Sequence, residues 1–420
     1  MHMRIYILIC TLLVTFAGCG LFDDNSCTGT IYRAPSLYVN GGGTIYVSYY
    51  VKDKSVDAGG SCVDNTANFS LVFAITSNNG TSWTKKIIAS EVLPPDATEM
   101  MSQSMAVNSA GYIFVTYIDS GHLKCAVSKD SGATFTPASL ETSATVGGSS
   151  IMVDSIGNVY VAYNASGLKV IKYTAGSDSW GPARTIDSTS NTGFAPSLTV
   201  TGQNRIFISY YYRGNANVAG LNFATSTDGG STWTKGNIKT ADGAVSGPLS
   251  WIISDTDNYI YVAFYDPEGY TGSNTSWKEK STGTFKLAKS TDYGGTWTIV
   301  TIDSTPSTGK SVTIVPGMDG NSIYVCYGLL VNLTEAYSTD NQIFCAISSN
   351  GGATFGTPVK EDSGSYIDIN EGGLGYLNLA MDFYSSNLYL VYVITNSDGS
   401  TTLKLGISID GLTWTKSNIY

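Results

Sequence analysis

One octet recurs along this chain of 420 residues and fixes most of what it can fold into. It reads Ser226-Thr227-Asp228-Gly229-Gly230-Ser231-Thr232-Trp233, and Ser290-Thr291-Asp292-Tyr293-Gly294-Gly295-Thr296-Trp297 matches it. Ser128-Lys129-Asp130-Ser131-Gly132-Ala133-Thr134-Phe135 is a third copy. Copies with Asn in the acidic place run from Thr76 through Asn78 to Trp83 and from Ser348 through Asn350 to Phe355. Ser408-Ile409-Asp410-Gly411-Leu412-Thr413-Trp414 is one residue short, and residues 173–180 hold the seventh place with only Trp180 retained. Such a string is a rigid hairpin turn. Its Asp and Ser side chains bond to nearby backbone groups. Its central Gly takes a positive φ that other residues resist. Self-similarity at this spacing is the mark of a repeat architecture.

A second string precedes each octet. It reads Ile45-Tyr46-Val47-Ser48-Tyr49 in the first repeat, with its last two places filled by Thr116-Tyr117, Ala162-Tyr163, Ser209-Tyr210, Ala263-Phe264, Cys326-Tyr327 and Val391-Tyr392 in the others. Runs this rich in β-branched and aromatic residues are strands apolar on both faces. A shorter strand is expected before each, at 36–39, 104–107, 150–153, 197–200, 250–253, 312–315 and 377–381. A third strand leads into each octet and a fourth leaves it. Four strands in about 45 to 64 residues, seven times over, predict an all-β, seven-bladed β-propeller of four-stranded antiparallel blades, six blades being the alternative count. In such a ring neighbouring blades cover both faces of each sheet, which explains the continuous apolar runs. No stretch carries a helical period. Whether residues 28–33 or the C-terminal ones close the ring stays open.

The first residues read differently. An apolar run over 5–16 is too short to span a bilayer, and Phe16-Ala17-Gly18 places small residues before Cys19. This resembles the lipobox of bacterial lipoproteins, which implies that Cys19 is lipidated and becomes the N-terminus. The expected organisation is a signal peptide at 1–18, a tether at 19–30 and the propeller at 31–420. The implied location is the cell envelope, lipid-anchored at the outer membrane or cell surface.

Composition narrows the partners. A net charge of −10 with no basic stripe argues against nucleic acid. Setting aside Cys10 and Cys19 leaves Cys27, Cys62, Cys125, Cys326 and Cys345, an odd number; Cys27 with Cys62 and Cys326 with Cys345 are candidate pairs. Export permits disulfides. No CxxC, HExxH, phosphate-binding loop or dinucleotide fingerprint occurs, so no cofactor and no metal is expected. The string Asp255-Thr256-Asp257-Asn258 reads as an Asx-rich turn rather than a calcium loop. Beyond the signal segment His122 is the single histidine, so no other side chain can act as the imidazole of a Ser-His-Asp arrangement. It is expected at the surface where a strand begins.

The octet resembles the Asp-box, or BNR repeat, of sialidases and related propellers. That resemblance implies a structural role for Asn78, Asp130, Asp228, Asp292, Asn350 and Asp410, away from the ligand face. Function is expected instead on the face of long, irregular connections at 51–68, 266–284, 328–341 and 361–376, where a rigid scaffold carries variable loops. Arg33 in Tyr32-Arg33-Ala34-Pro35-Ser36-Leu37 resembles the Arg of the sialidase Arg-Ile-Pro motif, which grips a carboxylate by bidentate pairing. Gly375-Tyr376 resembles the segment bearing the sialidase Tyr nucleophile. By the same resemblance Asp53, Asp57 or Asp64 is the acid/base, and Glu268 or Glu371 is the partner of the Tyr. The chain departs from that family in having five Arg, none beyond Arg213; Arg33, Lys52 and Arg213 are the cations expected on the ligand side, and Arg205 on the opposite one. Ala195-Pro196-Ser197-Leu198 repeats Ala34 to Leu37 without an Arg, so that string also reads as blade grammar.

The expected function is therefore a non-catalytic, lipid-anchored propeller, monomeric, that binds a glycan or an envelope or host protein. The alternative is a divergent sialidase-like exo-glycosidase acting on terminal sialic acid or a related sugar through Tyr376, Asp57 and Glu371. A third reading is an envelope scaffold.

Overall fold

The computed structural model describes residues 29–53, 55–56, 62–63, 68–93, 103–213, 218–242, 250–266, 284–305, 308–331, 337–368, 379–396 and 400–419. They form seven antiparallel meanders whose strands pair in chain order, with no helix among the described residues. The alternative of six blades is excluded. Every blade uses one contiguous stretch. The first is Thr30–Val39, Ile45–Asp53, Phe69–Thr76 and Thr84–Val92; the last is Leu379–Tyr384, Asn387–Thr395, Thr401–Ser408 and Thr415–Asn418. Blade three departs slightly, since its fourth strand is broken into Ser179–Trp180 and Arg184–Asp187 at Gly181.

The first strands of successive blades touch one another around the whole ring, so they form its inner wall. The second strands are buried over their apolar stretches: Ile260–Asp266 and the first six residues of Ile45–Asp53 have no exposed side chain. Seven clusters of buried residues result, most drawing on two neighbouring blades; Ile45, Val47 and Val72 of blade one pack with Tyr389, Val391 and Leu405 of blade seven.

That last cluster closes the ring, and among the described residues neither end of the chain adds a strand to the blade at the other end. The Tyr32 N–H donates to the Thr401 hydroxyl at 2.6 Å and the Val39 N–H to Asp382 Oδ2 at 2.7 Å. Four of the other inner-strand seams use hydroxyls. Met105 N–H donates to Ser36, Leu198 to Ser150, Ile252 to Ser197 and Met381 to Thr313, all at 3.0–3.1 Å. The closing seam has Ala380 at the hydroxyl level, and its carboxylate acts two residues further along both strands. Although Asp382 keeps partial exposure, desolvation raises its pKa to about 6, against the pull of the Val39 and Phe383 N–H groups.

Within each blade the octet joins strands three and four. Asp228 is typical: Oδ1 accepts from Ser226 Oγ and from the N–H groups of Ser231 and Thr232 at 2.8–2.9 Å, and Oδ2 accepts from Thr232 Oγ1 at 2.6 Å. The central octet glycines, Gly80, Gly132, Gly230, Gly294, Gly352 and Gly411, have φ between +73° and +91°. A second constraint acts at the same position. A Cβ on Gly80, Gly294, Gly352 or Gly411 would stand 2.6–2.8 Å from Leu405, Phe223, Leu287 or Tyr324, each in the preceding blade. At Gly132 it would run into Phe73, and only Gly230 has ordinary room. The turn therefore seats its bare backbone on the neighbouring blade. The degraded octet of blade three makes no such contact: a Cβ on Gly176 would meet nothing within 4 Å.

Cys326 and Cys345 are disulfide-bonded across adjacent strands of blade six, as one candidate pairing expected, and Cys125 is a buried thiol. The pair Cys27 and Cys62 lies outside the residues whose side chains are described. Gly132→Ala should lower stability by about 2–4 kcal/mol, combining a strained positive φ with overpacking against Phe73. Gly176→Ala should change it by less than about 0.5 kcal/mol. Thermal or denaturant unfolding of the two variants checks the contrast.

Candidate functional site

In a meander the connections between strands two and three lie at the same end as those leading from one blade to the next. The octets and the short turns between strands one and two lie at the other. Arg205 confirms the assignment of the octet end: its Nε donates to Thr225 Oγ1 at 3.1 Å and its guanidinium stacks 4.6 Å from the Tyr293 ring of the blade-five octet. The Asx-rich turn is also there. Asp255 Oδ1 accepts the Asp257 and Tyr259 N–H groups, and Oδ2 accepts the Tyr261 hydroxyl at 2.8 Å. Its lone pairs serve the turn, and no metal-binding cluster occurs among the described residues.

The octet carboxylates are saturated in the same way. Hydrogen bonds hold Asp130, Asp292 and Asp410 down to about 2, led by the Thr134 hydroxyl on Asp130, the Thr296 N–H on Asp292 and the Leu412 N–H on Asp410. Asp228 is lowered further still, chiefly by the Thr232 hydroxyl. A carboxylate this strongly stabilised as an anion is a poor proton acceptor. Asn78 and Asn350 occupy the same geometry, each donating through Nδ2 to the Ser or Thr four residues on at 2.8 Å.

At the loop end, blade one gathers the cations. Arg33 lies on the first strand and Lys52 on the second, and both sit over the ring of Phe69 on the third, at 5.3 and 4.3 Å from its centroid. Phe69 is buried, so its face is a fixed platform that holds both charges by cation–π attraction. A β-bulge between Arg33 and Ser36, with Ala34 at φ +47°, shapes this strand. Blade four repeats the bulge between Phe194 and Ser197, with Ala195 at φ +47°. The shared Ala-Pro-Ser-Leu string is therefore blade grammar, but the residue ahead of it differs: Arg33 pairs with Tyr50 where the apolar Phe194 pairs with Tyr211. Arg213 ends the second strand of blade four in the register of Lys52; its side chain is not among those described.

Asp53 ends the second strand of blade one, exposed, and accepts from the Thr30 hydroxyl at 3.2 Å. Asp57, Asp64, Glu268, Glu371, Tyr376 and Cys19 lie outside the described residues. His122 begins a strand of blade two, as expected, with Nδ1 buried and without a partner.

A set of residues that sequence patterns do not single out holds the blades together. The last Tyr of the second-strand string donates to an acid ending the preceding blade's fourth strand. Tyr163 reaches Glu141 at 3.2 Å, Tyr210 reaches Asp187 at 2.9 Å, and Tyr327 reaches Asp303 and Tyr392 reaches Asp362, both at 2.7 Å. Lys169, Lys235 and Lys404 pair with the first, second and fourth of these acids at 2.9–3.0 Å. Glu141 is held to about 2 because Lys169 and Ser143 outweigh its desolvation. The available sequence signal is an acid followed by Ser or Thr toward the end of four repeats: Glu141-Thr142, Asp187-Ser188, Asp303-Ser304, Asp362-Ser363.

The fourth strands of blades one to six each carry a bulge whose extra residue packs into the seam, and in blades two, three, five and six that residue directly precedes the acid. It is Ile88, Leu140, Ile186, Ile238 and Ile302 in blades one to five, but Glu361 in blade six. Glu361 Oε1 is buried without a partner. Desolvation raises its pKa to about 7; Asp410 and Asp362 push the same way, and Lys416 opposes them.

No family model and no curated protein matches the sequence. Solved structures do match in fold. A polysaccharide lyase of family 25, an ulvan lyase, superposes with a TM-score of 0.58 at 11% identity, covering 94% of this chain and 97% of that one. The ulvan lyase bound to -[GlcA(1-4)Rha3S]- gives a TM-score of 0.58 at 12% identity with the same coverage. The NanB sialidase from Streptococcus pneumoniae gives 0.44 at 13% identity, over 90% of this chain and 68% of that one. At such identities the likeness is one of architecture: this chain shares its fold with the ulvan lyase.

Glu361 generates a test of the seam. Its folded pKa lies above the ordinary carboxylate value, so the folded state binds the extra proton. The stability it contributes is full below about pH 4.5 and is lost as pH rises through about 7. Glu361→Leu should restore the apolar filling, raise stability at pH 8 by on the order of 1 kcal/mol after solvent screening, and give no gain at pH 4. Thermal melts of both proteins across that range check it.

Proposed function

We propose that this chain is an exported, lipid-anchored propeller of Asp-box repeats that binds a glycan at its loop face without cleaving it. The observation that carries the reading is the pairing of Arg33 and Lys52 on Phe69 at the loop end of blade one. The chain is acidic overall, and blade four, which keeps a cation in the register of Lys52 at Arg213, has the apolar Phe194 in the place of Arg33. Two cations held on one buried ring suit a carboxylate or sulfate carried by a sugar. The whole-chain fold likeness to a lyase bound to a glucuronate-containing polymer supports an acidic glycan over a neutral one. The octet acids support a scaffold role for Asn78, Asp130, Asp228, Asp292, Asn350 and Asp410, since their acceptor positions are filled. Cys19 would tether the propeller to the envelope.

The same whole-chain likeness favours, as a second reading, a carbohydrate-active enzyme: a polysaccharide lyase or a sialidase-like exo-glycosidase, the latter using Tyr376, Asp57 and Glu371. An array of uronate-, sulfate- and sialic-acid-containing oligosaccharides separates the two readings when scored both for retention and for product. Binding without product, weakened by salt, is expected. In the Arg33→Ala, Lys52→Ala double variant affinity should fall by about tenfold or more, roughly 1.4 kcal/mol. Retention of no glycan would sink the binding reading, and release of an unsaturated uronate or of free sialic acid would establish the enzyme.

A further inference from the structure

The inner wall of the ring carries one residue out of keeping with the rest. Facing the fourth residue of each second-strand string, across the first pair of strands, stand Ser36, Ser104, Ser150, Ser197, Trp251, Thr313 and Ala380 in blades one to seven. Six are small. Ser36, Ser150, Ser197 and Thr313 use their hydroxyls to accept an N–H from the next blade's first strand. Indole has no acceptor oxygen, so Trp251 forgoes that bond. It also remains 37% exposed. The other described tryptophans, Trp83, Trp180, Trp233, Trp297 and Trp414, close the fourth-strand hairpins and are partly buried.

The direction of that exposure follows from the packing. The first strand of blade five, Ser250–Ser254, touches the first strands of blades four and six on its two sides and its own second strand behind. Among the described residues, the side of this strand that no other strand covers faces the axis. In a ring of seven, blade five looks across the axis at blades one and two, whose residues at this level are the partly exposed Ser36 and Ser104. An aromatic wall therefore stands opposite a hydroxyl wall. Arg33 lies three residues before Ser36 on the same strand, toward the loop end.

A large aromatic left open to solvent, where the fold elsewhere uses Ser, Thr or Ala, serves no blade contact that the other six repeats need. Its chemistry matches a pyranose ring, which presents an apolar C–H face beside a rim of hydroxyls. We propose that Trp251 is the platform on which a pyranose residue stacks at the axis, with the hydroxyls of blades one and two opposite its polar rim. The class of ligand is a glycan whose pyranose has one face free of axial hydroxyls and whose acidic substituent lies toward blade one. This inference rests on the glycan-binding reading and names the part of the surface that would do the binding.

The test is calorimetric titration of the chain lacking residues 1–28, which leaves every described blade whole. The ligands are a tetrasaccharide of alternating glucuronic acid and 3-sulfated rhamnose and, separately, sialyllactose. Trp251→Ala should weaken binding of the preferred sugar by about tenfold, while Trp251→Phe, which keeps an aromatic face, should stay within about threefold. Saturation-transfer NMR should place the strongest enhancement on the protons of one sugar face, and Trp251→Ala should remove that pattern. Unchanged affinity in a Trp251→Ala protein with an unaltered melt overturns the platform while leaving the glycan reading in place. Failure of the parent protein to bind either sugar overturns the glycan reading, and the platform with it.

Discussion

Each blade of this protein is a sheet that is apolar on both sides, and no blade can exist with either side open to water. That demand makes the ring necessary, and it falls hardest on the seam between blades seven and one. Many closed sheets are locked by a strand borrowed from the far end of the chain; here, among the described residues, none is borrowed. The seam is held by the packing of Ile45, Val47 and Val72 on Val391 and Leu405, and by two side chains that stand in for backbone pairing: Thr401 on the Tyr32 N–H and Asp382 on the Val39 N–H. The carboxylate is an uncomfortable choice, since desolvation raises its pKa to about 6 and thus opposes its charge.

The seams elsewhere combine two devices at opposite ends of the blades. At the octet end, a glycine with no room for a Cβ lies on an aromatic or leucine side chain of the blade before it. At the loop end, a tyrosine hydroxyl reaches an acid of the blade before it, usually with a lysine alongside. Blade five shows how far this can be rearranged. Phe264 replaces the tyrosine, Lys239 takes the acid's place, and Asp266 moves onto blade five itself to pair with Lys239 and Lys286. The charges have exchanged sides while the seam keeps an ion pair.

Fold was legible in the sequence because the repeated strings encode local geometry directly. Alternation-free apolar runs mark the second strands, and the octets mark the hairpins, each within a residue or two of where they stand. The inter-blade contacts are less legible for a physical reason: a Tyr at the end of a buried strand looks the same whether its hydroxyl meets an acid, water or a neighbouring backbone. Only the register of the preceding blade decides it. The anomaly at Glu361 is hidden likewise, since a glutamate near a strand end is unremarkable until its counterparts prove to be Ile88, Leu140, Ile186, Ile238 and Ile302. For the site, the string around Arg33 is partly grammar, and the structure separates the shared bulge from the residue that is not shared. Trp251 is invisible from sequence because nothing in a single repeat marks the position facing the axis.

The glycine contacts and the tyrosine struts share a direction: both reach backward, from a blade to the one made before it. A polypeptide leaving the ribosome N-terminus first can thus dock each new blade on a surface already finished. The exception is the octet of blade one, whose Gly80 must wait for Leu405, more than three hundred residues later in synthesis. Until that leucine emerges, the nascent chain is an open arc with an apolar face bare at its leading edge. The final blade is therefore the step at which the arc either shuts or sticks to something else.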